Sequence, residues 1–205
     1  MLERARARTQ CGRYTSVEYA RYADDLVVLV DARSRPDGLR RAVDKRLREE
    51  LVKLHVEINE EKSRMADLGR GESFGFLGFD FRRVRSVRGV WRAHYTPQLQ
   101  QRTALLGKLK AVFRRSRSPP AGRVVESIAP ILRGWVNYFA VGHSSRCFRY
   151  VKDWVEKKVR RHLMRSRQGH GLGWRRWSRR WLYDAWGLFN AYRVRRPAPK
   201  VAPTG

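Results

Sequence analysis

Two adjacent carboxylates, Asp24 and Asp25, stand in the stretch Arg21-Tyr22-Ala23-Asp24-Asp25-Leu26-Val27-Val28-Leu29-Val30. Val17, Tyr19 and Tyr22 precede them, and an unbroken apolar run follows from Leu26 to Val30. Short runs rich in β-branched and aromatic residues read as strands, and a run without polar interruption reads as a strand buried on both faces. Asp-Asp between two such runs predicts the tip of a hairpin. Paired carboxylates on a rigid tip can hold divalent cations against phosphate. Oxygen ligands suit Mg²⁺, and two bound ions stabilise both the attacking and the leaving oxygens of phosphoryl transfer. An ordinary turn is the competing reading, because Asp caps its own backbone there.

The second chemical resource is positive charge. The chain has 205 residues and a net charge of +27. Residues 1–98 carry 21 Lys/Arg against 15 Asp/Glu, whereas residues 99–205 carry 25 against 4. Such a half is built to meet a polyanion, and nucleic acid is the expected partner. A membrane is not expected to be one. No apolar stretch approaches the roughly 20 residues that span a bilayer, and the Arg-rich start, Met1 to Arg13, lacks the apolar core of a signal peptide. Cys11 and Cys147 stand far apart without a C-x-x-C pair, and the five His are scattered without metal-ligand spacing. These features predict a cytoplasmic protein with reduced thiols.

The elements that must position these groups follow from periodicity. Ser34-Arg35-Pro36-Asp37 resembles a capping box, and Leu39, Ala42, Val43, Leu47, Leu51 and Leu54 recur at helical spacing after it. Val56 to Ile58 reads as a short strand. Phe74, Phe76, Phe79 and Phe81, interrupted by glycines, read as a strand pair, and Val84 to Tyr95 as one more hairpin turned near Arg88-Gly89. Composition shifts at Thr96-Pro97, which predicts an N-cap and first helical position. A helix lined by Leu99, Leu105, Leu106, Leu109, Val112 and Phe113 should follow, then a basic linker from Arg114 to Pro120. A second helix is expected over about residues 122–141, kinked or interrupted at Pro130. A third, near Ser145 to Met164, places Phe148, Val151, Val155 and Val159 on one face and Lys152, Lys157, Lys158, Arg160 and Arg161 on the other. Trp174, Trp177 and Trp181 also fall at helical spacing, interleaved with Arg175, Arg176, Arg179 and Arg180. The tryptophans are expected in the core and the arginines on the nucleic acid. The fold class is therefore α+β: residues 1–95 a sheet with a packing helix, residues 96–195 an all-α basic domain, and residues 196–205 a disordered Pro-rich tail.

Several blocks resemble one family. Tyr22-Ala23-Asp24-Asp25 with its apolar run is similar to the catalytic hairpin of reverse transcriptases, in the form typical of group II introns and bacterial retroelements. Asn59-Glu60-Glu61-Lys62-Ser63 resembles the next palm block, and Phe76-Leu77-Gly78-Phe79 the primer-grip hairpin. Ile131-Leu132-Arg133-Gly134-Trp135-Val136-Asn137-Tyr138-Phe139 resembles the signature of domain X, the thumb-like maturase domain, with further likeness at Phe148, Trp154 and Gly187-Leu188-Phe189. The resemblance implies a partial palm followed by a thumb. It makes Asp24 a metal ligand, Asp25 its supporting carboxylate and Lys62 a charge partner or proton donor to pyrophosphate, with Mg²⁺ as cofactor. It places Arg133 with the helical Lys and Arg residues on RNA. For Trp135, Tyr138 and Phe139, core packing is expected over base stacking.

One departure limits the analogy. A polymerase of this family needs another Asp on an earlier palm strand, and fingers to hold template and nucleotide. Asp31 and Asp80 are the other Asp residues near predicted strands, and neither has the expected context. The chain thus reads as the C-terminal half of an intron-encoded reverse transcriptase and maturase, a truncated or split form that is inactive alone. Its expected partners are intron RNA, a primer–template and a separate fingers-and-palm chain. Two rival readings are an RNA-binding maturase without polymerase activity and an inactive retroelement remnant.

Overall fold

The computed structural model describes residues 2–8, 14–31, 36–116, 121–167, 171 and 173–195. They fall into two compact units, Met1–Asp67 and Leu68–Gly205. In the first, β1 (Leu2–Arg8), β2 (Tyr14–Tyr22) and β3 (Asp25–Val30) form an antiparallel sheet in that order. The β2–β3 hairpin closes on a two-residue turn, with Tyr22 opposite Asp25 and Val17 opposite Val30. Ala23 takes the first turn position at φ 50, the positive sign that matches the twist of flanking strands. Asp24 is thus in the turn and Asp25 opens β3. From Val17 to Asp31 and from Gly38 to Asp67 no residue of this unit is fully buried, and Leu26 and Leu29 are 36% and 41% exposed. The expectation of a strand covered on both faces is not met among the described residues.

Helix α1 (Pro36–Lys53) opens on a proline, whose missing N–H costs nothing at a helix start. Ser34 and Arg35 of the expected capping box lie outside the described residues. Arg46 pairs with Glu50 at 2.9 Å, one turn on, and Arg48 pairs with Asp44 and reaches across to Glu60. Val56 to Ile58 is not a strand. His55 sits at φ 55 after the last turn. Its N–H donates to the Val52 carbonyl at 3.0 Å, and that of Val56 to Leu51 at 3.0 Å. This is the paired closure that usually has Gly in His55's place, and it leads the chain away without a strand partner.

The second unit begins with a short 3-10 turn, Leu68–Arg70, and the antiparallel sheet β4 (Ser73–Phe76), β5 (Phe79–Arg85) and β6 (Trp91–Pro97). Leu77 and Gly78 join β4 to β5 at φ 48 and 73, so the expected hairpin at Phe76–Phe79 is present with a turn of the mirror-image type. The helices are α2 (Leu99–Arg115), α3 (Ala121–Tyr138), α4 (Ser145–Ser166) and α5 (Arg179–Asp184). Pro97 ends β6 instead of opening α2. The N–H of Gln98 donates to the Gly78 carbonyl at 2.9 Å, which keeps the chain extended until Leu99. Helix α3 runs through Pro130 without interruption. Pro130 and Glu126, whose carbonyl it cannot serve, are both exposed, so water can take up that acceptor.

The main core joins α2, α3 and α4 through Leu105, Leu109, Ile128, Leu132, Val151, Val155 and Val159 and extends to Trp177, Leu182 and Leu188. A second cluster sets Phe79 of the sheet against Val136, Phe139 and Phe148 of the helices. Phe79 lies 5.0 Å from the Phe139 ring and 5.8 Å from Tyr95, both edge-on. The second sheet therefore belongs with the helices, and the units divide at Asp67, not at the compositional shift near Thr96. That shift marks a change in charge; packing ignores it.

At the corner between α3 and α4, Gly142 has φ 67, and a Cβ there would meet the Tyr95 ring at 2.3 Å. Ring and backbone are both fixed, since the N–H of His143 donates to the Tyr95 carbonyl at 2.9 Å. Gly142→Ala is expected to lower stability by about 1–3 kcal/mol, read as a shift in urea midpoint at unchanged slope. An unchanged midpoint would show that this corner is slack.

Candidate nucleic-acid interface

Helix α4 has two charged sides with opposite fates. Glu156 and Arg160, one turn apart, are 0% and 1% exposed. Arg160 Nη1 donates to Glu156 Oε2 at 3.3 Å and its Nε to the Trp177 carbonyl at 2.9 Å. Its guanidinium lies 4.0 Å from the centre of the Trp174 ring. Arg179 Nε donates to Glu156 Oε2 at 2.9 Å and its Nη2 to Asp153 Oδ1 at 2.6 Å, while the Tyr183 hydroxyl donates to Glu156 Oε1 at 2.6 Å. Burial pushes Glu156 up. Hydrogen bonds from Tyr183, Arg179 and Arg160, with the Arg179 charge, outweigh it and hold the carboxyl below its ordinary range. Burial and the same carboxylate push the Tyr183 phenol far up.

This geometry corrects two expected RNA contacts. Arg160 lies on the core stripe with Val155, Glu156 and Val159, so it cannot face a ligand. Arg179 is held by two carboxylates although it stays 59% exposed. The tryptophans do not share a helix: 174–176 form a turn, Ser178 caps α5 by accepting from the Trp181 N–H, and Trp181 alone lies within it. Trp177 is buried, Trp181 half-buried and Trp174 45% exposed. Of the α3 aromatics, Phe139 is buried and Trp135 packs against it at 4.7 Å. Tyr138 is 56% exposed and donates its hydroxyl to the Leu77 carbonyl at 3.1 Å.

The other cations divide further. Lys152 donates to Asn190 Oδ1 at 2.8 Å, and Arg180 pairs loosely with Asp184 at 3.4 Å. Arg133, Lys157, Arg161 and Arg175 are exposed, and Arg176, also exposed, stands over the Trp177 ring. Lys158 is half-buried above Trp154. Burial lowers its pKa, and the charges of Arg161, Lys110, Arg165 and Arg114 lower it further. Five cations thus gather where α2 and α4 lie side by side, joined by the Phe113 and His162 rings at 5.9 Å. None of the five is in an ion pair among the described residues. Lys110, Arg114 and Arg165 were not among the expected contacts. The signal for them was spacing: 110 and 114, and 158, 161 and 165, each recur on one helix face.

Residues 102–183 match the family model of the group II intron, maturase-specific domain. Over this stretch, less than half of the chain, the sequence is similar to that domain. A comparison with curated proteins gives no match to the chain. The match starts inside α2 and closes within α5, so it takes in the five-cation surface and the Glu156 network.

The hairpin expected to do chemistry lies in the other unit. Asp24 and Asp25 are both exposed at its tip. Lys62 is exposed too, at the end of a turn in which its N–H donates to Asn59 Oδ1 at 3.1 Å, and no hydrogen bond or ion pair joins it to either Asp. The Phe76–Phe79 hairpin, in contrast, is anchored on the C-terminal end of α3 through Phe79 and Tyr138. Among the described residues, no three His, Cys, Asp or Glu side chains gather to hold a metal ion. Two adjacent carboxylates alone do not enclose an ion that demands near-octahedral oxygen coordination. The described residues therefore do not fit a complete Mg²⁺ site. No described helix is long and apolar enough to cross a membrane.

The Glu156 network gives a direct test of what holds the helical unit. Glu156→Ala would leave Arg160 buried without a carboxylate, and breaking a buried pair on one side costs about 3–5 kcal/mol. The expected result is a large drop in the thermal or urea midpoint. Because Glu156 is held below its ordinary pKa, its contribution is fully present above the unfolded value and is lost as pH falls through the folded one. Wild-type stability should therefore decline below about pH 4, and the Glu156→Ala chain should lose less over that window. Equal acid loss in both chains would show that other carboxylates govern it.

Proposed function

We propose that the chain is an RNA-binding maturase that grips group II intron RNA through phosphate contacts. The observation that carries this reading is the α2–α4 surface, where Lys110, Arg114, Lys158, Arg161 and Arg165 crowd together and none is in an ion pair among the described residues. Like charges so placed disfavour the free protein and are relieved by a polyanion, whose counterions are released on binding. Exposed Lys157, Arg133 and Arg175 add to the same electrostatic field. If about 6–10 phosphates are engaged, affinity for intron RNA should fall by about 10³–10⁵ between 50 and 200 mM salt. Lys110→Gln with Arg114→Gln should reduce the slope of log affinity against log salt by about two. Binding that barely changes over this range would sink the reading.

A second reading rests on the Tyr22–Asp25 hairpin, whose register and turn suit the reverse-transcriptase motif. It makes the chain the later palm and thumb of an RNA-directed DNA polymerase acting on a primer–template with Mg²⁺. Asp24 and Asp25 would be ligands, Lys62 would act near the triphosphate, and Phe76 to Phe79 would grip the primer. Two-metal chemistry needs at least one further carboxylate, which a separate fingers-and-palm chain would supply. The 205-residue chain alone is therefore expected to extend no primer. Extension by this chain that is abolished in Asp24→Ala would overturn the incompleteness argument and support the hairpin's role.

A further inference from the structure

The β5–β6 hairpin lies outside the residues matched by the maturase domain, yet it is among the most basic parts of the chain. Arg82, Arg83, Arg85, Arg88 and Arg92 fall within it, and no Asp or Glu occurs between Asp80 and Glu126. All five arginines are exposed. β4 pairs with β5 only as far as Arg82, opposite Ser73. Beyond that point Arg83 opposite Ala93, Val84 opposite Arg92 and Arg85 opposite Trp91 form a ribbon of two strands without a third.

The ribbon's own contacts keep it in shape without neutralising it. Arg85 Nε donates to the Gly89 carbonyl at 3.0 Å, and Ser86 and Val90 close the turn with a 2.8 Å bond from the Ser86 N–H to the Val90 carbonyl. The Arg83 guanidinium lies 4.5 Å from the centre of the Trp91 ring, itself 50% exposed. Arg82 Nε approaches His94 Nδ1 at 3.4 Å. Arg88 and Arg92 make no ion pair or hydrogen bond among the described residues. A lone two-stranded ribbon is marginal in water, and unopposed charge along it makes matters worse unless a polyanion is the partner.

We propose that this arginine ribbon is a second phosphate-binding surface, which docks on the backbone of base-paired RNA. Guanidinium forks match phosphate oxygens bidentately, and the ribbon uses five arginines and no lysine. Base-paired RNA is favoured over unpaired strands because Trp91 already carries Arg83 on its ring and so is not a free stacking platform. The inference rests on the RNA-binding reading above, but it concerns residues that reading does not use.

The test uses the full chain, with a random-sequence RNA duplex of about 16 base pairs as probe, long enough for two successive minor grooves. Arg88→Gln with Arg92→Gln removes two charges that no structural contact needs. The expected result is a fall of about two in the salt slope, full recovery of the slope in Arg88→Lys with Arg92→Lys, and unchanged thermal stability. A steep wild-type slope left intact by Arg88→Gln with Arg92→Gln would overturn the ribbon while leaving the α2–α4 reading standing. Failure of the lysine variant to recover the slope would overturn it in favour of a shape role. Absence of any salt-dependent duplex binding by the wild-type chain would overturn the ribbon, and the α2–α4 reading would then be decided by the salt dependence of intron RNA binding. A larger loss of binding to vesicles of anionic phospholipid than to the duplex would assign the ribbon to a membrane surface instead.

Discussion

Glu156 accepts from Arg160 and Tyr183 and forms a short ion pair with Arg179, so one buried carboxylate ties α4 to the segment that carries Trp177, α5 and Tyr192. The second half of the chain has only four acidic residues, and placing one of them at a core position has a specific consequence. Two arginines that would otherwise add to the surface field are taken into structure. The remaining cations are left to face outward on a scaffold whose geometry is fixed by a hydrogen-bonded network. Taking charges out of water is expensive, and a buried pair is weak evidence for stability by itself. Its value here lies in fixing which face of α4 is core. Lys158, Arg161 and Arg165 then fall together on the flank beside α2.

A second constraint works at the other end of the unit. Phe79, Phe81 and Tyr95 of the strands form an aromatic cluster with Phe139 at the end of α3, with Phe81 and Tyr95 stacked at 5.2 Å. Both sides of β5 and β6 near their paired ends are therefore committed: one to these rings, the other to Arg82, His94 and the stacked His143 ring 4.1 Å from His94. Farther along, the same alternation places Arg83, Ala93, Arg85 and Trp91 where the phenylalanines stood, and there the helices no longer cover the strands. One hairpin is thus part of the core at its root and a charged arm at its end. The change is encoded by nothing more than which residue types occupy the inward-facing register.

The sequence made the elements legible where pattern and packing agree. The Tyr22–Asp25 hairpin, the Phe76–Phe79 hairpin, α1 and the three long helices follow from apolar spacing and turn residues. It misled where a tertiary contact overrides a local rule. Thr96-Pro97 looks like a helix start, but the Gly78 carbonyl holds Gln98 extended. Val56–Ile58 has strand composition, but His55 in a left-handed conformation ends α1 so that no partner strand is beside it. Arg160 looks like one more surface cation, because a helical wheel drawn from apolar residues alone omits the Glu156 beside it on the same stripe. Charge composition separates the halves at Thr96, whereas the aromatic cluster draws the preceding sheet into the helical unit. The basic ribbon was visible as a hairpin, yet its arginines gained significance only when the register showed that β4 stops at Arg82.

The two proposed activities make different demands on structural precision. Phosphate capture by lysines and arginines tolerates displacement of a side chain by an ångström or more, because the attraction is long-ranged and the side chains are flexible. Two-metal phosphoryl transfer requires carboxylates held within about 0.5 Å by a packed supporting shell. The unit from Leu68 onward has a buried core, a buried ionic hub around Glu156 and an aromatic joint, which is more than binding requires. The unit with Asp24 and Asp25 fully buries no residue from Val17 to Asp31 or from Gly38 to Asp67, and the strand that opens with Asp25 exposes Leu26 and Leu29. The Asp-Asp tip is consequently the feature with the strictest need for support, on the sheet that has the least of it within this chain. RNA binding can stand on the residues present; polymerisation requires that something else cover that strand and complete the carboxylate set.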